Sequence, residues 1–304
     1  MAGVVLAIAT AAAWTRFQDS DDTVASVAAE PGTQVGVHYF TWYRRTEGAP
    51  WSNGLTPVHA ASPRPALGEY NSNDKEVMDL HISQMEQAGI DFAILNVIVN
   101  SPPSWGNVDR FMERVRGRRL KFAVMIDGLH DAPPAAEADA VVRAGAYTSH
   151  SSYLRVDGEP LVLLFSAKVD FAAPGAVLRN VYWTPDYRDG SNTFNGGPLL
   201  AADWPFWSPS PQARINGMVP VIPCYSDGHL KRPVAMEHPR DDGRTYHEQW
   251  QRALSLRPPF IVIYGWNEYF EQTMIEPTDA WGESYLQWTA CYTALAHAGQ
   301  QGTC

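Results

Sequence analysis

The sequence predicts an α/β chain folded as a (β/α)8 TIM barrel, on three observations. Short apolar, β-branched runs recur from Val35 onward, beginning near positions 35, 90, 120, 160, 180, 200, 218 and 260, with helix-like segments between several of them. These runs are nearly continuous in apolar character rather than alternating, as strands of a parallel sheet covered on both faces must be. No GxGxxG or GxxxxGK[ST] follows any of them, which removes the nucleotide signatures of the open doubly wound alternative. The length of 304 residues suits one such barrel, of about 250 residues, better than two small domains.

Each element follows in order. "VGVHYFTW" (35–42) reads as the first strand. "SNDKEVMDLHISQMEQAG" (72–89) reads as a helix opened by Ser72, with Val77, Leu80, Ile82, Met85 and Ala88 at helical spacing and Gly89 closing it. "IDFAILNVIV" (90–99) is a buried strand, a helix follows at about 105–118, and "LKFAVMID" (120–127) is the third strand. "PPAAEADAVVRAGAY" (133–147) is an Ala-rich helix with Pro at its start. "YLRVDGEPLVLLF" (153–165) predicts a small hairpin turning at Asp157-Gly158 into a strand. Strands at 179–184, 199–204, 217–225 and 259–266, a helix at 245–256 and a last helix at about 281–298 complete the barrel.

Composition narrows the function. A net charge of −10 argues against a duplex nucleic-acid partner, which calls for a basic face. Three Cys (224, 291 and 304) show no metal-ligand spacing and allow at most one intrachain disulfide. The run "AGVVLAIATAAAW" (2–14) is too short to span a bilayer as a helix and has the length of a signal h-region without its basic flank. A polar, acidic stretch ending in Pro-Gly follows it. Residues 1–34 are therefore expected to be a clipped signal or anchor with a linker, and 35–304 the catalytic domain. The protein is expected to be secreted or tethered to the cell surface, with membrane contact only through that N-terminal segment.

The chemistry is expected where the last strand ends. "IVIYGWNEYFEQTMIEPT" (261–278) runs from a buried strand straight into Glu268, Glu271 and Glu276. In a (β/α)8 barrel that point is the mouth, where active sites sit. Carboxylates there are solvated, paired or functional, because an unpaired buried charge costs several kcal/mol. Two acids three positions apart can face one cavity, as hydrolysis of a glycosidic bond requires. Tyr39, Trp42, Tyr70, Asn96, Asp127, Tyr225, Asn267 and Glu276, at or near strand ends, are the candidates for holding a sugar.

"WNEYFEQTMIEPT" resembles the signature of glycoside hydrolase family 99, whose best-known members are endo-α-1,2-mannosidases, and of its looser relatives associated with polysaccharide biosynthesis. Asn267, Glu268, Tyr269, Glu271, Thr273, Ile275, Glu276 and Pro277 match its final-strand motif. "VHYFTWY" (37–43), "LGEYNSNDKEVMDLHISQMEQAGIDFAI" (67–94), "VPVIPCYSDGHLKRP" (219–233) and "RDDGRTYHEQWQRAL" (240–254) resemble other parts of that family, so the similarity spans about residues 35–290. The resemblance implies a retaining, metal-free hydrolase without cofactor. In it Glu268 would act as base on the substrate's own 2-hydroxyl, giving a 1,2-anhydro sugar, and Glu271 as acid and then base. The partner would be an oligo- or polysaccharide with a mannose-like 2-hydroxyl. Phe270 and Gln272 stand where the family usually has His and Gly. "ILNVIVNSPPSW" replaces a Trp-rich segment, and Asp127 stands where Glu is common.

Other constellations are weaker. Asp127, His130 and Asp131 lack metal-protease spacing, so no metal site is expected, and Ser166 and Ser226 lack a GxSxG elbow. His38 reads equally well as a core histidine or a ligand. "GHLKRP" (228–233) and Arg240 offer cations that would either orient a site carboxylate or pair with Asp241 or Asp242. A non-hydrolytic glycan-binding or polysaccharide-assembly protein on the same fold is the alternative reading.

Overall fold

The computed structural model describes residues 32–99, 101–127, 134–156, 158–165, 218–232, 235 and 237–304. Its centre is a six-stranded, wholly parallel sheet. Strands β1 (Gln34–Phe40), β2 (Phe92–Ile98), β3 (Lys121–Asp127), β6 (Val162–Phe165), β7 (Met218–Val221) and β10 (Phe260–Ile263) stand in the order β6-β3-β2-β1-β10-β7. The first strand thus pairs with the last, Gln34 opposite Phe260 and Val37 opposite Ile263. Each remaining strand lies beside its neighbour in sequence, which is the order of a sheet winding round in one direction. The strands expected at 179–184 and 199–204, and residues 1–31, lie outside the described residues.

Among the described residues five α-helices accompany the sheet: α1 (Lys75–Gln87), α2 (Pro102–Val115), α3 (Pro134–Tyr147), α4 (Arg244–Leu256) and α5 (Ser284–His297). β4 (Arg155–Val156) pairs antiparallel with β5 (Glu159–Pro160) as the expected hairpin requires, with Gly158 at φ +85°; Asp157 lies outside the described residues. A second short hairpin pairs β8 (Tyr225–Ser226) with β9 (Glu237–His238). Two details of α1 differ from expectation. Asp74, not Ser72, caps it by accepting the Glu76 N–H. Ser72 is instead buried and accepts the Tyr43 N–H. Leu80 turns outward while His81 is buried, because the inward stripe of Met78, Ile82 and Met85 sweeps His81 in with it.

Strand alternation separates two apolar layers. Val35, Val37, Tyr39, Ala93, Leu95, Val97, Val124, Ile126, Val219, Ile261 and Ile263 pack with the helices. Phe92, Ile94, Ala123, Met125, Leu163, Met218, Phe260 and Val262 form the opposite, interior cluster. Gly36 has no side chain because the Phe92 ring fills its space, where an added Cβ would lie 2.2 Å from a ring carbon. Phe92 meets Phe260 edge to face at 6.0 Å, so the amino-terminal end of the interior face is packed with apolar side chains. The same alternation places His38, Asn96 and Asp127 on the interior face above that packing, toward the carboxyl ends of the strands. At the far end of the chain Cys291 and Cys304 are joined in a disulfide, and Cys224 is a buried free thiol.

Candidate active site

The segment after β10 folds back on itself as a loop with a closed neck. The Gly265 N–H donates to Thr273 O, and the Ile275 N–H is shared between Gly265 O and Trp266 O. Thr273 N–H bonds Glu268 O inside the loop. Asn267 then locks the loop to β1: its Oδ1 accepts the Phe40 N–H at 2.9 Å, and its Nδ2 donates to Phe40 O at 2.9 Å and to the Tyr70 hydroxyl at 3.0 Å. The β1–α1 connection is sewn to the same loop through Ala66 N–H to Pro277 O and Asp279 N–H to Arg64 O. Glu268 and Glu271 are thereby set at the carboxyl ends of β1 and β10.

Gln272, where the related motif has glycine, adopts φ +62°, the left-handed conformation that glycine enters freely. Its amide donates to Tyr269 O and Ser62 Oγ, contacts that hold it there. Phe270, in the histidine position, lies parallel to the Tyr43 ring with centroids 5.7 Å apart.

The two acids occupy different environments. Glu268 is 3 % exposed and accepts the Phe270 N–H at 2.7 Å. Burial, reinforced by the charge of Glu271, pushes its carboxyl well above the usual range. Glu271 keeps 13 % of its side chain exposed. It accepts Arg232 Nη2 at 2.7 Å and the Tyr225 hydroxyl at 3.0 Å on one oxygen, and the Tyr264 hydroxyl at 3.0 Å on the other. Arg232 also grips Asp227 at 2.9 Å, and Ser226 N–H bonds Glu271 O, so the β8–β9 hairpin carries the clamp. Arg240 takes a different part: it donates to Gln272 O and Met274 O and lies over the Trp281 ring at 4.0 Å, holding the loop's backbone.

The remaining candidates separate by place. Tyr39, Tyr70, Asn267 and Glu276 join one buried network with His81, on the helix side of β1. Tyr39 Oη lies 3.0 Å from His81 Nδ1, His81 Nε2 lies 3.0 Å from Glu276 Oε2, and Tyr70 Oη donates to Glu276 Oε1 at 3.1 Å. These four side chains are committed to holding the loop. Asn96 and Asp127 lie on the interior face, and Trp42 is half-buried against Phe40 and Phe270. Tyr225 stands in the Glu271 clamp. His130 and Asp131 lie outside the described residues. His38, edge-on to Tyr264 at 5.0 Å, is pushed down to about 3 by burial and stays neutral.

Sequence reasoning did not single out Tyr264 or His81; a histidine flanked by apolar helix residues was the signal for His81. Arg232 belongs to the "GHLKRP" cations expected either to orient a site carboxylate or to pair with Asp241 or Asp242, and it holds Glu271.

Burial of Glu268 has a stability consequence. A carboxyl whose folded pKa exceeds its unfolded value of about 4.3 binds more protons folded than unfolded in between, so stability falls as pH rises through that window. Glu268→Gln is therefore expected to melt higher than the parent at neutral pH. The gap should shrink as pH drops toward the ordinary glutamate range, as thermal melts across pH would show. A constant gap, or a variant less stable throughout, would contradict the assigned environment.

A parallel sheet wound in one direction, with two acids on the loop at the carboxyl end of its last strand, defines the class: an α/β protein with a curled parallel sheet. No family model matches the sequence, and no curated protein matches it. Among solved structures the chain is similar to the family 99 endo-α-mannosidase from Bacteroides thetaiotaomicron, in complex with bis-tris-propane, with a TM-score of 0.68 at 17 % identity over 89 % of this chain and 99 % of that one. A second structure of that protein gives 0.65 at 17 % identity over 88 % and 98 %. A glycoside hydrolase-like protein gives 0.58 at 15 % identity, over 87 % and 94 %. The motif resemblance and the fold agree: this chain has the fold of the family 99 structures.

Proposed function

We propose that the protein is a retaining, endo-acting glycoside hydrolase that cleaves an α-linked, mannose-containing glycan with Glu268 and Glu271. The observation carrying this reading is the pair itself: one carboxyl buried and raised, the other clamped by Arg232 and two tyrosines, on one loop at the strand ends. Pairs of acids pushed into unlike environments are the pattern of acid and base in glycosidases. The single-direction strand order, with β6 and β7 at its edges among the described residues, supports a closed eight-stranded barrel. The Cys291–Cys304 disulfide supports export to an oxidising compartment.

Substrate-assisted hydrolysis would run in two steps. One carboxylate takes the proton of the sugar's 2-hydroxyl as that oxygen attacks the anomeric carbon. The bond to the leaving oxygen breaks as the other carboxyl protonates it. Water, deprotonated by the second group, then attacks the anomeric carbon as its bond to the 2-oxygen breaks, the first group returns its proton to that oxygen, and the two inversions give retention. The motif resemblance makes Glu268 the base and Glu271 the acid. The raised carboxyl of Glu268 favours a second assignment, in which Glu268 carries the proton and Glu271, turned toward three donors, is the base. The hydrolase reading is tested by incubating the protein with α-mannan oligosaccharides and following the product anomer by NMR. The α anomer should appear first; first appearance of the β anomer would overturn retention, and binding without cleavage would favour a glycan-binding role.

A further inference from the structure

A cavity of about 810 Å³ is formed by the β1–α1 connection and the start of α2, and Trp42 on its wall lies near Phe270 of the loop that carries the two acids. We propose that it binds an anionic sugar unit of the glycan, one bearing a carboxylate or phosphate, next to the bond being cut. The proposal deepens the hydrolase reading and rests on it for that placement.

Arg44, Arg45 and Arg110 line this cavity, and no acidic side chain does among its described lining residues. The chain as a whole carries 33 acids against 23 bases. A cationic pocket in an acidic protein needs a reason beyond solubility, because a lining of one sign in a concave site concentrates ligands of the other. All three arginines are exposed, and none is in an ion pair among the described residues, whereas Arg64, Arg114, Arg118 and Arg244 each hold a carboxylate. Arg110 is nonetheless placed: its Nη1 donates to Gly106 O and to Asn107 Oδ1, and Asn107 in turn donates to Thr41 O at the end of β1. That leaves the far side of its guanidinium for a ligand's paired oxygens, the geometry arginine serves best.

A second, independent observation points to a ligand. Ser104 is 2 % exposed, lines the same cavity, and its hydroxyl has no hydrogen-bond partner. Buried hydroxyls are normally satisfied, and an orphan carries a desolvation cost that a bound hydroxyl or oxyanion would remove. Trp42 supplies the link to the chemistry. Its half-buried indole lines the cavity and reaches Phe270, which sits between the two acids in sequence, with ring centroids 6.4 Å apart. A pyranose resting on Trp42 would present its charged substituent to the arginines and its glycosidic oxygen toward Glu271.

The test is calorimetric binding to full-length Glu271→Gln protein, which removes turnover as a variable. The probes are an α-linked oligogalacturonate, mannose 6-phosphate and neutral mannotetraose. At least one acidic probe should bind about tenfold or more tightly than the neutral one, consistent with charged hydrogen bonds. That advantage should fade with added salt. Whichever acidic probe binds better identifies carboxylate or phosphate as the substituent. Adding Arg45→Ala with Arg110→Ala should cost the acidic probe about tenfold in affinity and leave the neutral one alone. Both side chains are exposed and neither is in an ion pair among the described residues, so melting should change little. Equal binding of all probes, or acidic binding indifferent to the arginines, would overturn the proposal. Failure of the protein to cleave any glycan would sink the hydrolase reading while leaving this result intact, since binding alone is read.

Discussion

Glu271→Gln is expected to lower hydrolysis of the native glycan by about a thousandfold, within the range a positioned acid or base supplies. Glu268→Gln should do the same while leaving the fold intact, because Gln fits the Glu268 site without its desolvation cost. The two variants should part on an aryl glycoside with a good leaving group. Such a substrate needs no protonation of its leaving oxygen, so loss of the acid is largely spared and loss of the base is not. If the motif's assignment holds, Glu271→Gln keeps substantial activity on the aryl substrate. If the raised Glu268 carboxyl is the working proton donor, Glu268→Gln is the variant rescued. Wild-type turnover by either variant on the native glycan would remove that residue from the chemistry.

The second large effect is on stability. Glu276→Ala is expected to destabilise the fold by about 2–3 kcal/mol, the cost of leaving buried polar partners unsatisfied. Glu276 accepts from Tyr70 and lies 3.0 Å from His81, and its loss takes that contact from both buried side chains. The loop would also lose a tether to α1, so kcat/KM should fall even at temperatures where the variant stays folded. Denaturant unfolding of Glu276→Ala, with His81→Ala for comparison, measures it. A change below about 1 kcal/mol, the scale of a surface ion pair, would show that the network is not holding the loop.

The regular part of the fold was legible because its signals are local. The runs at 90–99 and 120–127 are long enough to read as strands, and Gly89 and Gly158 mark a helix end and a turn that both take positive φ. The acid pair was legible for a different reason: buried apolar residues running into carboxylates is a conflict that a sequence shows directly. What stayed hidden depends on contacts between distant segments. Tyr39 and Phe40 are neighbours in one strand, yet alternation sends Tyr39 to His81 on α1 and Phe40 to the interior. Asn267 beside a catalytic candidate reads as a sugar contact, whereas its amide is spent on Phe40 and Tyr70. The grip of Arg232 on Glu271 spans 39 positions and rests on the fold of the intervening chain, which no local pattern reveals.

The most direct measurement is the release of new reducing ends from α-mannan by the parent protein and by the double variant Glu268→Gln/Glu271→Gln. Release by the parent and none by the folded double variant is the expected result. Equal release by both, or none by the parent on any α-linked glycan, would contradict the assignment of these two carboxyls as a cutting pair.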